Sequence, residues 1–180
     1  MKSFTYFAYG SNMLIGRLQE RCATARVLGL ATAVGYLIHF GKKGRDGSGK
    51  ASIRKTAARD AMVHGVLFEI NVSEKAVLDR FEGHPSGYRR DDQFLVETAN
   101  AMSRLEVSTY IATANAIDGS LKPFDWYLAL VIGGAIQHKL PKDYLEALIT
   151  TECVRDPDHD NRRAAFRLLK TAATGPMRGG

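Results

Sequence analysis

The segment from Tyr9 to Met13 combines residue types that can bind an anion. Its sequence is Tyr-Gly-Ser-Asn-Met. Gly10 has no Cβ, so the backbone at that point can approach a ligand closely. Ser11 and Asn12 are good N-cap residues, and a helix N-terminus offers unpaired N–H groups at the positive end of a dipole. That combination suits a carboxylate or an oxyanion. The pattern alone favours an ordinary capped turn, because Gly-Ser-Asn turns are common.

Glu82 is one acidic residue whose position in the sequence suits proton transfer. It falls at the end of a predicted helix and directly before a run of turn residues from Gly83 to Gly87. The C-terminus of a helix is the negative end of its dipole, and that end favours a protonated carboxyl group. A group that exchanges protons needs such a bias. The pattern by itself favours a solvated acid at a helix end and does not distinguish Glu82 from the other acids.

A basic segment, Lys42 to Lys50, lies between two predicted strands and is followed by Arg54, Lys55 and Arg59. It is rich in glycine but does not have the spacing of a phosphate-binding Walker loop. Two interpretations fit about equally well. The segment is either a mobile basic loop, or a lid or funnel that attracts an anionic substrate.

Signatures of metal sites and of serine hydrolases are absent from the sequence. The five histidines show no HExxH motif and no paired spacing, and no Gly-x-Ser-x-Gly motif occurs. Asp156 to Asp160 resembles the start of a calcium loop, but the sixth position is Asn161 and the twelfth is Arg167. We therefore expect a polar turn that caps the last helix and no metal site.

Composition points to one globular domain. The chain has 180 residues, 45% of them hydrophobic, and a formal net charge of +6, which favours anionic partners without choosing among them. Two cysteines without a CxxC pair indicate a reducing compartment. The N-terminus lacks a signal peptide, and the longest apolar run, Tyr127 to Ile136, is shorter than the ~20 residues of a membrane span. The prediction is a cytoplasmic protein that binds no membrane.

Hydrophobic periodicity divides the chain into strands followed by helices. Strands are predicted at Phe4 to Tyr9, Val27 to Phe40 (one bent strand or two shorter ones), Ala51 to Thr56, Met62 to Ile70, Tyr88 to Thr98 and Arg104 to Ala112, the last two joined as a hairpin by Ala99 to Ser103. Helices are predicted at Met13 to Arg21, Asn71 or Ser73 to Phe81, Trp126 to His138, Pro141 to Cys153 and Arg162 to Lys170. This order favours an α+β domain over residues 1–170, a mixed sheet or small barrel packed by helices, with a flexible tail at 171–180.

These segments together resemble the gamma-glutamylcyclotransferase-like family, which includes the AIG2-like and butirosin-pathway branches. Each motif is weak alone, and their joint order and spacing from about Tyr6 to Leu148 carry the resemblance. The motifs are Tyr6 to Met13, Asp46 to Lys50, Val63 to Ile70, Leu78 to Gly83 followed by Gly87 and Tyr88, then Tyr110, and Leu140-Pro141 with Tyr144. Asn12 distinguishes the chain from the glutathione-specific branch, whose opening motif has leucine there.

The resemblance implies a small mixed β-barrel with flanking helices. It implies a reaction in which the α-amine of a γ-glutamyl group attacks its own γ-carbonyl, closes 5-oxoproline and releases an amine or amino acid, without metal or organic cofactor. Glu82 is implied as the catalytic group. The expected substrate-binding residues are Tyr9, Gly10, Ser11, Asn12, Met13, Tyr88, Tyr110 and Tyr127. The tyrosines are expected to wall the pocket and to orient Glu82 through their hydroxyls.

Other functions stay open at this point. One is cyclisation of another γ-glutamyl amine or of a carrier-bound aminoacyl group, with the same role for Glu82. Another is a non-catalytic ligand-binding or interaction protein, which we would expect if Glu82 were buried against an arginine and side chains filled the pocket. Nucleic-acid binding is disfavoured, because the basic residues are spread along the chain among acidic ones. The predicted partner is a small γ-glutamyl molecule, and the protein is predicted to be a monomer or a homodimer.

Overall fold

Seven strands and five helices make up the part of the chain that the structure describes. The computed structural model describes residues 2–58, 60–98 and 104–174. The strands are β1 (Ser3–Ala8), β2 (Arg26–Val34), β3 (Tyr36–Lys43), β4 (Gly49–Lys55), β5 (Met62–Asn71), β6 (Tyr88–Thr98) and β7 (Arg104–Ala112). The helices are α1 (Ile15–Gln19), α2 (Lys75–Glu82), α3 (Asp125–Gln137), α4 (Lys142–Ile149) and α5 (His159–Thr174). None of these helices is long and apolar enough to cross a lipid bilayer.

The strands close into a mixed barrel in the order β1-β5-β2-β6-β7. Neighbouring strands are antiparallel, except that β1 and β7 close the barrel as a parallel pair through Tyr6 and Ser108. Strands β3 and β4 form a separate antiparallel hairpin. Phe7 and Phe68 are fully buried and belong to the main hydrophobic core. The α+β prediction of a small mixed barrel with flanking helices is confirmed.

Helix α3 packs between the segment that follows β1 and the C-terminal helix α5. Gly134 allows the first contact, because a Cβ at that position would lie 2.6 Å from the Cβ of Met13. The turn before α5 is polar, as predicted. There Asp156 is buried and accepts hydrogen bonds from the Trp126 indole N–H at 2.6 Å and from the Asp158 backbone N–H at 2.8 Å. These contacts of Gly134 and Trp126 therefore hold α3 beside the segment that follows β1.

Several element boundaries differ from the predictions, although β6 and β7 have the predicted bounds. The predicted segment from Val27 to Phe40 consists of two strands that separate at Gly35, whose φ of 79° favours glycine. The basic segment is mostly strand, since β3 runs to Lys43 and β4 begins at Gly49. Helix α5 extends four residues into the predicted tail. Arg59, the link 99–103 and residues 175–180 lie outside the described residues.

Candidate active site

A cavity of about 190 Å³ lies where the end of β1, the β3–β4 hairpin and the end of α2 meet. It is smaller than the roughly 300–1,000 Å³ typical of drug-sized ligands, so its size suits a group as small as an amino acid. The buried lining residues form the floor: Tyr6, Tyr9, Ser11, Asn12, Ala51, Tyr88, Tyr110 and Tyr127. The partly exposed lining residues form the rim: Gly10, Arg17, Arg21, Lys42, Gly44, Arg45, Lys50, Phe81, Glu82 and Gly83.

The turn after β1 brings backbone into the cavity wall. Gly10 packs closely against two neighbours, because a Cβ there would lie 3.2 Å from the Cβ of Ala51 and 3.4 Å from the Tyr127 hydroxyl. Residues 11–13 form a single 3-10 turn. Within the described residues, the backbone N–H groups of Ser11 and Asn12 have no hydrogen-bond partner. Two N–H groups are therefore available to an oxygen atom of a ligand.

Two expectations for this turn need correction. The predicted helix from Met13 to Arg21 is only the five-residue α1, which begins at Ile15, so the turn is not the N-terminus of a long helix with a large dipole. Met13 does not line the cavity. Its side chain is fully buried, and its backbone N–H donates to the Gly10 carbonyl at 2.9 Å. Packing against α3 draws Met13 into the core.

Glu82 is the last residue of α2 and the single carboxylate among the described residues that line the cavity. Gly83 ends the helix in the left-handed conformation, with φ of 68°, a common helix ending. The Glu82 side chain is 13% exposed. Its Oε1 accepts hydrogen bonds from Asn12 Nδ2 at 2.9 Å and from Arg21 Nη1 at 3.2 Å. Oε2 has no hydrogen-bond partner among the described residues, which leaves one carboxylate oxygen for a ligand.

Asn12 connects the residues around Glu82. Its Nδ2 also donates to the Tyr6 hydroxyl at 3.1 Å, and its Oδ1 accepts from Arg21 Nη1 at 2.9 Å. Asn12 and Arg21 therefore contact each other and the same carboxylate oxygen. The two hydrogen bonds fix the orientation of the Glu82 carboxylate.

The predicted tyrosines do wall the cavity, but none of their hydroxyls hydrogen-bonds to Glu82. Tyr9 donates to the Tyr110 carbonyl, and Tyr88 donates to the Ala51 carbonyl at 2.6 Å. The Tyr127 hydroxyl accepts from the Ala51 N–H at 3.0 Å. Asn12 and Arg21, and not these tyrosines, are the described residues that hydrogen-bond Glu82.

Tyr110 is held by an acidic residue of α2. Its hydroxyl donates to Asp79 Oδ1 at 2.7 Å, and Asp79 also forms an ion pair with Arg90. Its ring meets the ring of Tyr6 edge to face at 5.9 Å between centroids. Burial raises the pKa of the Tyr6 and Tyr110 hydroxyls above the ordinary tyrosine value. These hydroxyls are therefore protonated at neutral pH and do not compete with Glu82 as proton acceptors.

Within the part of the chain that the structure describes, five cationic side chains and this one carboxylate line the cavity, and the cations are Arg17, Arg21, Lys42, Arg45 and Lys50. Burial, followed by the neighbouring Arg21 charge, lowers the pKa of Arg17 to about 10. Arg17 Nε donates to Ser11 Oγ at 3.0 Å. Lys50 forms an ion pair with Asp46 at 2.6 Å and lies over the Tyr127 ring at 4.6 Å. The cavity is therefore strongly positive.

Sequence reasoning singled out the basic segment but missed Tyr6, Arg17, Arg21 and Asp79 as residues of this site. Arg17 and Arg21 are four residues apart, the spacing of one helix face, and that spacing directly after the Gly-Ser-Asn turn was an available signal. Asp79 lies three residues before Glu82, which also places both on one face of α2. Nothing in the local pattern around Tyr6 distinguishes it from a core tyrosine.

The described residues contain no cluster of three or more histidine, cysteine, aspartate or glutamate side chains that could hold a metal ion. Cys22 is buried and Cys153 is exposed, and both are free thiols. The candidate site is therefore built from one carboxylate, one amide, several cations and a floor of protonated tyrosines. This set can bind an anionic ligand and move a proton at Glu82 Oε2.

Comparisons with known proteins agree on one family. A sequence profile described as the AIG2-like family matches residues 62–148. A human protein named gamma-glutamylcyclotransferase is 30% identical over 156 residues, which cover 84% of this chain and 80% of the relative. The bovine protein of that name is 29% identical over 156 residues, which cover the same shares of the two chains. A solved structure named gamma-glutamyl cyclotransferase, 24% identical, has a TM-score of 0.81 and covers 92% of this chain and 99% of its own, which supports the fold.

Proposed function

The chain belongs to the gamma-glutamylcyclotransferase family, and we propose that it converts a γ-glutamyl group to 5-oxoproline and releases an amine or amino acid. The observation that carries this proposal is the asymmetric environment of Glu82. One carboxylate oxygen is held by Asn12 and Arg21, while Oε2 of this cavity-lining residue has no hydrogen-bond partner in the described residues. A carboxylate held in this way is oriented and still has an oxygen that can accept a proton.

The proposed reaction needs one proton acceptor and one proton donor. Glu82 Oε2 removes a proton from the substrate α-ammonium, and the neutral amine attacks the γ-carbonyl carbon of the same molecule. A new C–N bond closes the five-membered ring. Glu82 passes this first proton to the leaving nitrogen and takes a second proton from the ring nitrogen, which was left positively charged by the attack. The bond between the carbon and the leaving nitrogen then breaks, and Glu82 gives the second proton to the released amine. Because the nucleophile and the electrophile belong to one molecule, holding the folded conformer supplies much of the acceleration.

The turn after β1 supplies the groups that bind the anionic parts of this substrate. The N–H groups of Ser11 and Asn12 are suited to hold the oxygen that becomes negative when the amine adds to the carbonyl. The nearby Arg17, which hydrogen-bonds Ser11 and has no carboxylate partner in the described residues, is suited to the substrate α-carboxylate. The buried tyrosines would keep water away from the folded γ-glutamyl group.

One observation favours a second candidate, a non-catalytic ligand-binding protein. Glu82 does contact an arginine, at 3.2 Å, which was one of the two features expected for such a protein. The other feature, a pocket filled by side chains, is not found, since the cavity is about 190 Å³. We favour catalysis because the cavity is open and Glu82 Oε2 has no hydrogen-bond partner among the described residues.

The test is release of 5-oxoproline from a panel of γ-glutamyl amines and dipeptides by the wild type and Glu82→Gln. General acid–base groups contribute typically 10²–10⁴-fold, so we expect the variant to lose at least a hundredfold in kcat. Glu106→Gln, at an exposed position on β7, is the matched control. Equal release by the wild type and Glu82→Gln excludes Glu82 as the proton carrier. Binding of panel members without release would favour the non-catalytic candidate, and neither binding nor release would favour a carrier-bound substrate.

A further inference from the structure

His138, the residue that follows α3, contacts the turn that borders the cavity. Its Nε2 lies 2.9 Å from the Met13 carbonyl oxygen. Because a carbonyl oxygen only accepts hydrogen bonds, the imidazole N–H is the donor. Burial lowers the pKa of His138, and the bond to Met13 opposes that effect only in part, so the ring is neutral at neutral pH. His138 is not among the described residues that line the cavity, and any effect on the site must therefore pass through the turn.

The imidazole of His138 is held in place by its own backbone and by ring packing. The helix ends where Lys139 takes a left-handed φ of 55° and donates its N–H to the Ile136 carbonyl at 3.0 Å. The His138 ring meets the ring of the fully buried Phe68 edge to face, with 6.0 Å between the centroids. The N–H donor therefore needs little further ordering to keep its contact with the turn.

A chain of hydrogen bonds leads from His138 to the backbone N–H of Asn12. The Met13 carbonyl that accepts from His138 belongs to the same peptide group as the Leu14 N–H. That N–H donates to the Ser11 carbonyl at 3.3 Å. The Ser11 carbonyl in turn belongs to the same peptide group as the Asn12 N–H, which has no partner in the described residues. Two peptide groups therefore connect the imidazole to a free donor of the site.

Hydrogen bonds that follow one another in this way polarise one another. A peptide group that accepts at its oxygen becomes a stronger donor at its N–H, so the imidazole strengthens the Asn12 N–H as a donor to a negatively charged oxygen. The backbone of α3 also lies against the chain, since a Cβ on Gly134 would be 2.7 Å from the Leu14 nitrogen. A donor that is oriented in advance costs no reorganisation when charge develops on the substrate.

We propose that His138 is a positioning residue that orients and polarises the Asn12 N–H toward the oxygen that becomes negative during cyclisation. The inference rests on the proposed function and names a residue outside the cavity that acts on its transition state. The γ-carbonyl oxygen gains its charge only after the amine adds, so the contribution of His138 falls on kcat and leaves substrate binding nearly unchanged. The leaving group takes no part in this contact, and we therefore expect the same effect for every γ-glutamyl substrate.

The kinetic test compares His138→Gln with His138→Met, two replacements of similar length of which only glutamine carries an N–H donor. We expect His138→Met to lower kcat for 5-oxoproline release by roughly three- to tenfold, the effect of about one hydrogen bond, with KM nearly unchanged. His138→Gln should restore kcat, because its amide can donate to the Met13 carbonyl. His159→Met, at an exposed histidine of α5, is the control and should keep the wild-type kcat.

Amide hydrogen exchange, measured by NMR on the free protein, tests the same chain without a substrate. The Leu14 N–H should exchange faster in His138→Met than in the wild type or His138→Gln, because the turn that supplies its acceptor opens more often. The N–H of Val66, which is fully buried on β5, is the reference, since its exchange reports unfolding of the barrel.

The outcomes separate this inference from the function on which it rests. A wild-type kcat in His138→Met would overturn the role of His138 while the cyclisation stands. Equal losses in His138→Met and His138→Gln would also overturn it, because ring packing and not the N–H donor would then matter. If the wild type releases no 5-oxoproline from any panel member, the proposed function fails, and the exchange of the Leu14 N–H decides whether the imidazole holds the turn. Faster exchange in His138→Met alone would support that contact, and unchanged exchange would overturn it.

Discussion

Removal of the Asn12 side chain is the sharpest test of how Glu82 is positioned. In Asn12→Ala, Glu82 Oε1 loses its 2.9 Å hydrogen bond, the Tyr6 hydroxyl loses its 3.1 Å donor, and Arg21 loses an acceptor. A hydrogen bond to a charged group contributes about 1.5–3 kcal/mol. If that contribution serves the orientation of Glu82 in the transition state, kcat falls by roughly 10–100-fold, since about 1.4 kcal/mol corresponds to a factor of ten.

The assay is kcat and KM for 5-oxoproline formation, with Asn115→Ala as the control at an exposed asparagine. Asn12 is buried, so its loss also destabilises the fold by about 1–3 kcal/mol. For a chain of this size, each kcal/mol of lost stability corresponds to a fall in Tm of roughly 2–4 °C. Assays at 25 °C, with folding checked by circular dichroism, separate this loss of stability from the effect on kcat. The reasoning is refuted if Asn12→Ala retains kcat within twofold of the wild type while Glu82→Gln is inactive.

Two further predictions concern packing and pH. Gly134→Ala should lower the free energy of unfolding in urea by roughly 1–3 kcal/mol, because the new Cβ would lie 2.6 Å from the Met13 side chain. Gly119→Ala is the control and should change the stability little, because the space around its new Cβ is open. An equal loss of stability in both variants would contradict the packing argument. Burial opposes ionisation of Asp92, but its hydrogen bonds, from Ser108 first, lower the pKa of Asp92 to about 2. The stability that Asp92 contributes is therefore present above its unfolded value of about 3.9 and is lost as pH falls through about 2. Asp92→Asn should flatten the dependence of Tm on pH in that window, and an unchanged slope would contradict the assignment.

Local sequence patterns predicted the strands well where apolar residues alternate and turn residues mark both ends. Strands β6 and β7 have the predicted bounds for that reason. The helix predicted at Met13 to Arg21 was less accurate, because packing of Met13 against Gly134 of α3 holds the first residues in a separate 3-10 turn. That contact joins positions more than a hundred residues apart, and no local pattern contains it. Barrel closure through Tyr6 and Ser108 is equally non-local.

The same limit applies to the candidate site. Glu82 and the Gly-Ser-Asn turn were predicted from the motifs, and both border the cavity. The partners of Glu82 were not predicted, since Asn12 and Arg21 are 70 and 61 residues away in sequence. The expected tyrosine hydroxyls instead bond to backbone groups or to Asp79. A motif identifies candidate site residues, but the contacts between them depend on the three-dimensional fold.

The positive charge of the cavity gives a physical reason why an arginine beside Glu82 is compatible with catalysis. A γ-glutamyl substrate must lose a proton from its α-ammonium before the amine can attack. Neighbouring cations disfavour an ammonium ion and lower its pKa, and the cavity presents five cationic side chains and one carboxylate. The positive field of the cavity therefore favours removal of the first proton from the ammonium of the proposed substrate, and that removal is the step in which Glu82 Oε2 is proposed to act. An arginine beside Glu82 contributes to this field, so its presence does not argue against the proposed cyclisation.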